Sequence, residues 1–386
     1  MATVGFGDKV YTATKLAAVM DSLSRLGVQP EEALRGVELS LEDLRAPETR
    51  ISLDQMVQML RNAMTTSRDR HLPFKIGSNI HVSAYGMYGF AILCGADFRK
   101  TMDFAVAYHL LAAPLAEISF SESAENGIWT IRPVTHPSID ARLLRFITEL
   151  QLGIHLSLHR DIMGAAFKPV KLTMTYGPSN DFGIAPELVG CPVSFGESAN
   201  QLVFASAWLN LRPTLGNQTT YTLIRATCDE LLAEMSTRAG AAGKVRKALL
   251  QDVARRPTLP AIAKMLRTTM RTLRRKLEEQ NTSFRALQDE LRAHLALKYL
   301  RDTTMTNDDI AFALGFSDAA NFRQAFRRWT AQTPREFRAA MGAGSLRSSI
   351  GRIEPSTGRL EPSRRRTLAR NSIRRESGGS NPVKAS

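Results

Sequence analysis

From Val10 to Leu26, apolar residues recur at Leu16, Val19, Met20, Leu23 and Leu26 and stop at Gly27. That is the spacing of a helix with one buried face, ended by a glycine. Ser52 stands as an N-cap before Leu53, Met56, Val57 and Leu60, predicting a helix to Met64; another is predicted from Asp97 to Leu111, ending before Pro114. The period then changes. Leu115 to Ser121 alternates apolar and polar residues, and Gly127 to Ile131 follows Glu125-Asn126-Gly127, which predicts a β-hairpin. Helical spacing returns over Ile139 to His159, while Lys171 to Tyr176 and Gln201 to Ser206 read as short strands. The first part of the chain is therefore expected to be a mixed α+β domain over residues 10–215.

A helix is predicted from Thr220 to Met235, within a connecting segment 216–243. The small-residue stretch Arg238-Ala-Gly-Ala-Ala-Gly243 that follows suits a linker. Residues 244–341 read as an all-α domain, with few strand signals. The tail 342–386 has no aromatic residue, is rich in Ser, Gly and Arg, and lacks periodicity, so it is expected to be disordered and basic.

The all-α region contains an internal repeat. Its first copy runs from Thr258 through Ile262-Ala263 and Leu266, then Thr269, Arg271, Leu273, Arg274, Arg275 and Leu277, ending near Asn281. The second runs from Thr306 through Asp309-Ile310-Ala311, Leu314-Gly315-Phe316 and Ser317, then Ala319, Ala320, Asn321, Phe322, Arg323, Gln324, Phe326, Arg327, Arg328 and Trp329. Both contain Ile-Ala-x-x-Leu, a short turn, and a second helix with apolar residues four apart. This is the pattern of a helix-turn-helix. Ala263 and Ala311 are small where two steeply crossing helices must approach closely. Thr306 with Asp309 resembles a capping box, Thr269 and Ser317 stand where the second helices need caps, and Gly315 suits a positive φ in the turn.

With Leu273/Leu277 and Phe322/Phe326 turned to the core, Arg271, Arg274 and Arg275 lie on the outer stripe of one second helix. Ala319, Asn321, Arg323, Gln324, Arg327 and Arg328 lie outside the Phe stripe of the other. Arg, Asn and Gln are the side chains that read base edges and bind phosphate. Between the copies, Ser283 to Arg301 predicts one long helix with Leu287, Leu291, Leu295 and Tyr299 four apart. At ~1.5 Å per residue such a strut is about 28 Å long, able to hold two reading helices roughly one DNA turn (~34 Å) apart.

Charge sharpens this picture. The 386-residue chain has a net charge of +14, but residues 1–243 carry 21 basic and 24 acidic residues, 244–341 carry 20 and 10, and 342–386 carry 10 and 3. A mildly acidic body with a basic C-terminal third points to a polyanion, nucleic acid first and an anionic membrane surface second. No run approaches the ~18–20 apolar residues of a membrane span, and the opening lacks a basic segment followed by an apolar core. A cytoplasmic protein is therefore expected, with no membrane partner. Cys94, Cys191 and Cys228 are scattered, in no CxxC pair, arguing against disulfides and zinc fingers.

Residues Ala248 to Arg338 closely resemble the DNA-binding domain of the AraC/XylS family of bacterial transcription regulators. The likeness is carried by Ile310-Ala-Phe-Ala-Leu-Gly-Phe-Ser-Asp, Phe322, Phe326-Arg-Arg-Trp and Thr333-Pro334-Arg-Glu-Phe337-Arg338. It implies that Arg271, Arg274 and Arg275 of the first reading helix, and Ala319, Ala320, Asn321, Arg323 and Gln324 of the second, face DNA. Three departures stand out: Arg267 where the first turn usually has Gly, Ala331 in place of the Gly before the final Thr-Pro, and Phe337 for Tyr. The N-terminal domain resembles the arabinose-binding-type effector domain of a branch related to ornithine and arginine utilisation regulators. That resemblance lies in Leu23 to Gly27, Arg50-Ile-Ser-Leu-Asp, Pro192-Val-Ser-Phe195-Gly and Asn200-Gln-Leu-Val-Phe204. It implies that this domain binds a small metabolite, amino acid-like or other, and mediates homodimerisation. By the same resemblance the protein is a ligand-responsive regulator, an activator working with RNA polymerase.

Other constellations are weaker. His155 and His159 stand four apart on a predicted helix but lack HExxH, and read as surface or core histidines rather than metal ligands. No GxGxxG, GxxxxGK[ST] or GxSxG is present, so no cofactor and no catalytic residue is expected. Arg142 and Arg145 could receive a carboxylate effector; solvation or pairing with Glu149 is the plainer reading. Two other classes stay open: a DNA-targeted enzyme of the self-modifying repair methyltransferase type, and a non-specific architectural DNA binder.

Overall fold

The computed structural model describes residues 4–178, 182–251, 253, 257–280 and 282–342. The tail 342–386 anticipated as disordered lies, beyond its first residue, outside the described residues. The N-terminal part is built around one 23-residue helix, Ala141–Met163, capped by Asp140 and buried over most of its length. Against it lies the helix Leu72–Ser78, so close that a Cβ at Gly77 would stand 2.1 Å from the Leu150 carbonyl oxygen. A Cβ at Gly153 would likewise stand 2.5 Å from the Phe74 carbonyl oxygen, so both positions must be glycine for the backbones to touch.

The predicted hairpin is present. Ala116–Glu122 pairs antiparallel with Asn126–Pro133, opening a five-stranded sheet that continues through Gln201–Ala205, Lys171–Thr173 and Val193–Ser194. The strand predicted to reach Tyr176 stops at Thr173, and its pairing with Val193–Ser194 is parallel. Trp129, Phe98, Phe167 and Phe204 fill the space between sheet and helices. Ser52 caps Leu53–Thr66 in a full capping box with Gln55, and Asp97 caps Phe98–Ala107. The fold is thus the expected α+β domain followed by an all-α region.

The expected linker is not one. The helix Gln218–Arg238 is followed after Ala239 by a further helix, Gly240–Gln251. Its small residues serve close packing: the Gln280 amide accepts from Ala242 N–H at 2.9 Å and donates to Ala239 C=O at 3.2 Å. Gly240 has φ 58°, and a Cβ there would stand 2.6 Å from Gln280 Nε2.

Both repeat copies fold as read. In the first, Leu259–Met265 leads through a turn to Met270–Glu278; in the second, Asn307–Ala313 leads to Ala319–Thr330. The two turns are superimposable in their hydrogen bonds. Arg267 and Thr268 N–H bond back to Lys264 and Ala263 C=O, while Gly315 and Phe316 N–H bond back to Phe312 and Ala311 C=O. This is a Schellman motif in each copy, with Arg267 (φ 52°) and Gly315 (φ 74°) at the left-handed position. Ala331, ending the second reading helix, also has a left-handed φ of 60°. Two of the three departures from the family pattern therefore place a side chain where glycine is preferred.

One helix, Phe284–Asp302, capped by Ser283, connects the copies. Its first half contributes Leu287 and the partly buried Leu291 to a core with Val245, Ile262, Leu273 and Leu277. Its second half contributes Ala296, Leu297 and Leu300 to a separate core with Ile310, Phe322, Phe326 and Phe337. The anticipated Leu295 and Tyr299 lie only at the edge of that second core, because the buried stripe shifts around the helix between the two cores.

Replacing Arg267 or Ala331 by glycine removes the cost of a left-handed Cβ and is expected to stabilise the reading domain by about 1 kcal/mol each. Urea-unfolding midpoints of the two variants against wild type check this; a lower midpoint for both would contradict it.

Candidate nucleic-acid interface

Each reading helix is positioned by its buried stripe and its cap. In the first, Leu273 and Leu277 are buried, and the Thr269 hydroxyl accepts from Thr272 N–H at 3.1 Å. Arg271, Arg274 and Arg275 are exposed on the other side. Arg275 is engaged with Glu279 one turn on, while Arg271 and Arg274 are hydrogen-bonded to no described residue. Arg274 lies on the wall of a cleft that it shares with Arg285 and Arg292 of the connecting helix, adding positive charge beside the reading face.

The second reading helix departs from expectation in two places. Its cap is Asp318, whose carboxylate accepts from Asn321 N–H at 2.7 Å, and not Ser317. A carboxylate at this helix N-terminus also suits the dipole, and the Asn321 N–H bond holds it below the usual carboxylate range. Ser317 instead takes part in a small network, accepting from Asn321 Nδ2 at 2.8 Å and donating to Asp318 Oδ2 at 3.1 Å. The second correction concerns Ala319. It is buried, one turn before Phe322 on the core side, so it cannot face outward. Ala320, Asn321, Arg323, Gln324, Arg327 and Arg328 are exposed as anticipated. Arg328 is bound to Asp289 of the connecting helix at 3.2 Å, leaving Arg323, Gln324 and Arg327 as the long polar side chains not hydrogen-bonded within the described residues.

The connecting helix also touches the N-terminal domain, a contact that sequence reading did not foresee. Arg246, preceding the first copy, reaches Asp8 at 2.5 Å and Glu290 of the connecting helix at 3.2 Å. His294 bonds Thr135 C=O at 3.0 Å, Lys298 meets Glu117 at 3.4 Å, and Arg301 binds Pro133 C=O. Glu117 and Pro133 belong to the hairpin of the N-terminal sheet.

Other candidates resolve into structure. His155 and His159 are core residues, each bonding through Nδ1 to the carbonyl four residues back, and burial lowers both, to about 4 and about 3. No cluster of three or more metal-ligating side chains occurs among the described residues. Arg142 and Arg145 lie over the rings of Phe182 and Tyr176, at 5.4 and 5.1 Å. All three cysteines are buried, and burial pushes each thiol up, Cys228 to about 11. An activated cysteine requires the opposite shift, so these thiols do not favour the self-modifying methyltransferase alternative. No helix among the described residues is long and apolar enough to cross a membrane.

Two family models match. One, the arabinose-binding domain of AraC transcription regulator, N-term, covers residues 27–213; the other, a helix-turn-helix domain, covers 262–340. The ornithine utilization regulator of Pseudomonas aeruginosa is 28% identical over 323 residues, spanning 84% of this chain and 94% of that protein. The urease operon transcriptional activator of Escherichia coli is 36% identical over 90 residues, 23% of this chain and 30% of that protein. The crystal structure of transcriptional regulator CdpR from Pseudomonas aeruginosa aligns at TM-score 0.43 and 21% identity, covering 84% of this chain and 98% of that one.

Because Asp318 and not Ser317 is the cap, Asp318→Ala is expected to lower the thermal midpoint of the reading domain more than Ser317→Ala. The folded carboxyl is held below its unfolded value, so the contribution is present at neutral pH and fades as pH falls through the folded value. Thermal unfolding at pH 7 and pH 3 checks both statements.

Proposed function

Since the chain belongs to the AraC/XylS family of transcription regulators, we propose that it is a ligand-responsive, sequence-specific DNA-binding activator reading two successive major grooves. The observation that carries this reading is the pair of matching helix-turn-helix units mounted on one 19-residue helix, each with a polar outer face. Arg271 and Arg274 suit bidentate recognition of guanine, and Gln324 suits adenine. Arg323, Arg327 and the tethered Arg328 and Arg275 suit phosphate, where a fixed position aids register rather than sequence choice. Asn321 serves the helix cap in the DNA-free chain and exchanges that network for a base edge on binding.

Ligand response follows from the two-faced hairpin. Side chains alternate across a strand. Ile118 and Trp129 face the interior of the N-terminal domain, whereas Glu117 and the Pro133 carbonyl meet Lys298 and Arg301 of the connecting helix. A change in the packing of that interior shifts the strands that hold the DNA-reading module. Dimerisation would use an outer surface of the N-terminal part, where Leu211, Leu215 and Leu223 are 50, 57 and 68% exposed. The protein so read acts in the cytoplasm, on double-stranded DNA and RNA polymerase, by binding rather than by catalysis.

Arg274→Ala is expected to cost about 1–3 kcal/mol on the cognate operator and little on scrambled duplex, measured by competition gel shift at fixed salt. Equal weakening on both sequences would assign Arg274 to phosphate and count against base reading by this helix.

A further inference from the structure

Inside the N-terminal domain lies a cavity of about 40 Å³, the space of roughly three waters at ~10–15 Å³ each. Most of its wall is apolar: Ile92, Met102, Ile118, Trp129, Ile154 and Ile162. Into this lining project Lys15, His109, Gln151 and His155, from three parts of the domain, the last two from one helix. Lys15 stands on the core face of the first helix, one turn before Val19, and is buried. Its ammonium donates to Ala112 C=O at 2.9 Å and Ala113 C=O at 3.1 Å and lies 5.4 Å from the Tyr85 ring centroid. Ala113 has a left-handed φ of 46°, a strained position that presents its carbonyl to the lysine.

Among the described residues no Asp or Glu lines the cavity, so none of them gives Lys15 a counter-ion there. Buried cations are normally paired. A second deficit lies beside it. His109 Nε2 donates to Ala116 C=O at 2.9 Å, which leaves Nδ1 as a bare lone pair, and this atom is buried without a partner. His159 is fully used, since its Nε2 accepts from Trp129 Nε1 at 2.9 Å.

We propose that this cavity is the effector site, and that it takes a small monocarboxylate with an apolar body, its carboxylate serving as counter-ion to Lys15 and bonding His109. The proposal rests on the reading of this domain as the sensory part of a DNA-binding regulator. A carboxylate satisfies the lysine and favours a proton on His109 Nδ1, turning the orphaned atom into a donor. An amino acid fits less well, because its ammonium would stand near Lys15 with no acidic side chain to receive it. The cavity's small volume selects short or branched acids, and seating one displaces Ile118 and Trp129 on the hairpin that holds the connecting helix.

The pH dependence follows from the groups facing Lys15. These are His109 on the turn His109–Ala112, His155 on the long helix, and the phenols of Tyr85 and Tyr88. Burial lowers Lys15 to about 7 and His109 to about 3, and raises both phenols far from neutrality. Below pH 7 the lysine is already charged; above it, binding an anion must draw in a proton. Because the bound state also carries a proton on His109, which is neutral when free, affinity is expected to fall with rising pH already below pH 7 and to fall more steeply above it, where the lysine too must take up a proton.

The test uses the full chain with isobutyrate, isovalerate and benzoate as probes, their amides as neutral isosteres, and valine as the zwitterion. Thermal shift and calorimetry are expected to show at least tenfold tighter binding of an acid than of its amide, with proton uptake at pH 8. Lys15→Met, which removes a buried charge and keeps the volume, is expected to fold and to lose at least tenfold in affinity. Equal binding of acid and amide, preference for valine, or no binding by any acid would overturn the proposal. Gel shifts on the cognate operator separate the two levels. Specific DNA binding that ignores all the acids defeats the carboxylate site alone, whereas loss of sequence preference in the wild-type chain defeats the regulator reading beneath it.

Discussion

The rest of the structure depends on the continuity of one helix, Phe284–Asp302, through two hydrophobic cores. Leu287 closes the core of the first helix-turn-helix, and Ala296, Leu297 and Leu300 close that of the second. Sharp kinks arise where Pro, a Gly/Ser pair, a π-bulge or an inserted group interrupts the backbone hydrogen bonds, and this helix contains neither Pro nor Gly. The spacing of the two reading helices is consequently fixed by covalent geometry and core packing, not by a flexible connection. Two modules each too small to bury a large core alone share a common wall, which ties their stability as well as their orientation.

The same helix is the meeting point of the two halves of the chain. Arg246 joins Asp8 and Glu290, while His294, Lys298 and Arg301 reach the hairpin of the N-terminal sheet. Burial pushes the Glu290 carboxyl up and Arg246 counters it, so this ion pair is held partly away from water. On the proposed reading, a change at the cavity has a short physical route to the strut: Ile118 and Trp129 of the hairpin line the cavity, and Glu117 and the Pro133 carbonyl of the same hairpin hold Lys298 and Arg301.

Much of this was legible in the sequence because it is encoded locally. The capping box at Ser52, the hairpin after Glu125, the two Ile-Ala-x-x-Leu units and the helix after Ser283 each depend on residues within one or two turns of one another. The misreadings share a cause as well. Ser317 and Asp318 are both good caps, and only the chain's path decides between them. Ala319 is neutral in a periodicity count, so its burial beside Phe322 left no mark. The small residues at 239–243 signal close packing as readily as flexibility, and the partner, Gln280, lies about forty residues away. Asp8 and Arg246 are 238 residues apart, beyond any pattern in a single sequence. Lys15 did leave a trace, as a charge on the core face of an otherwise amphipathic helix.

The most direct measurement is methylation interference at guanine N7 on an operator selected by the full-length chain from random duplexes. Two rigidly spaced readers on one strut require two clusters of interference, centred about 10 base pairs apart on one face of the duplex. A single cluster, two clusters on opposite faces, or a spacing that varies among selected sites would contradict the account.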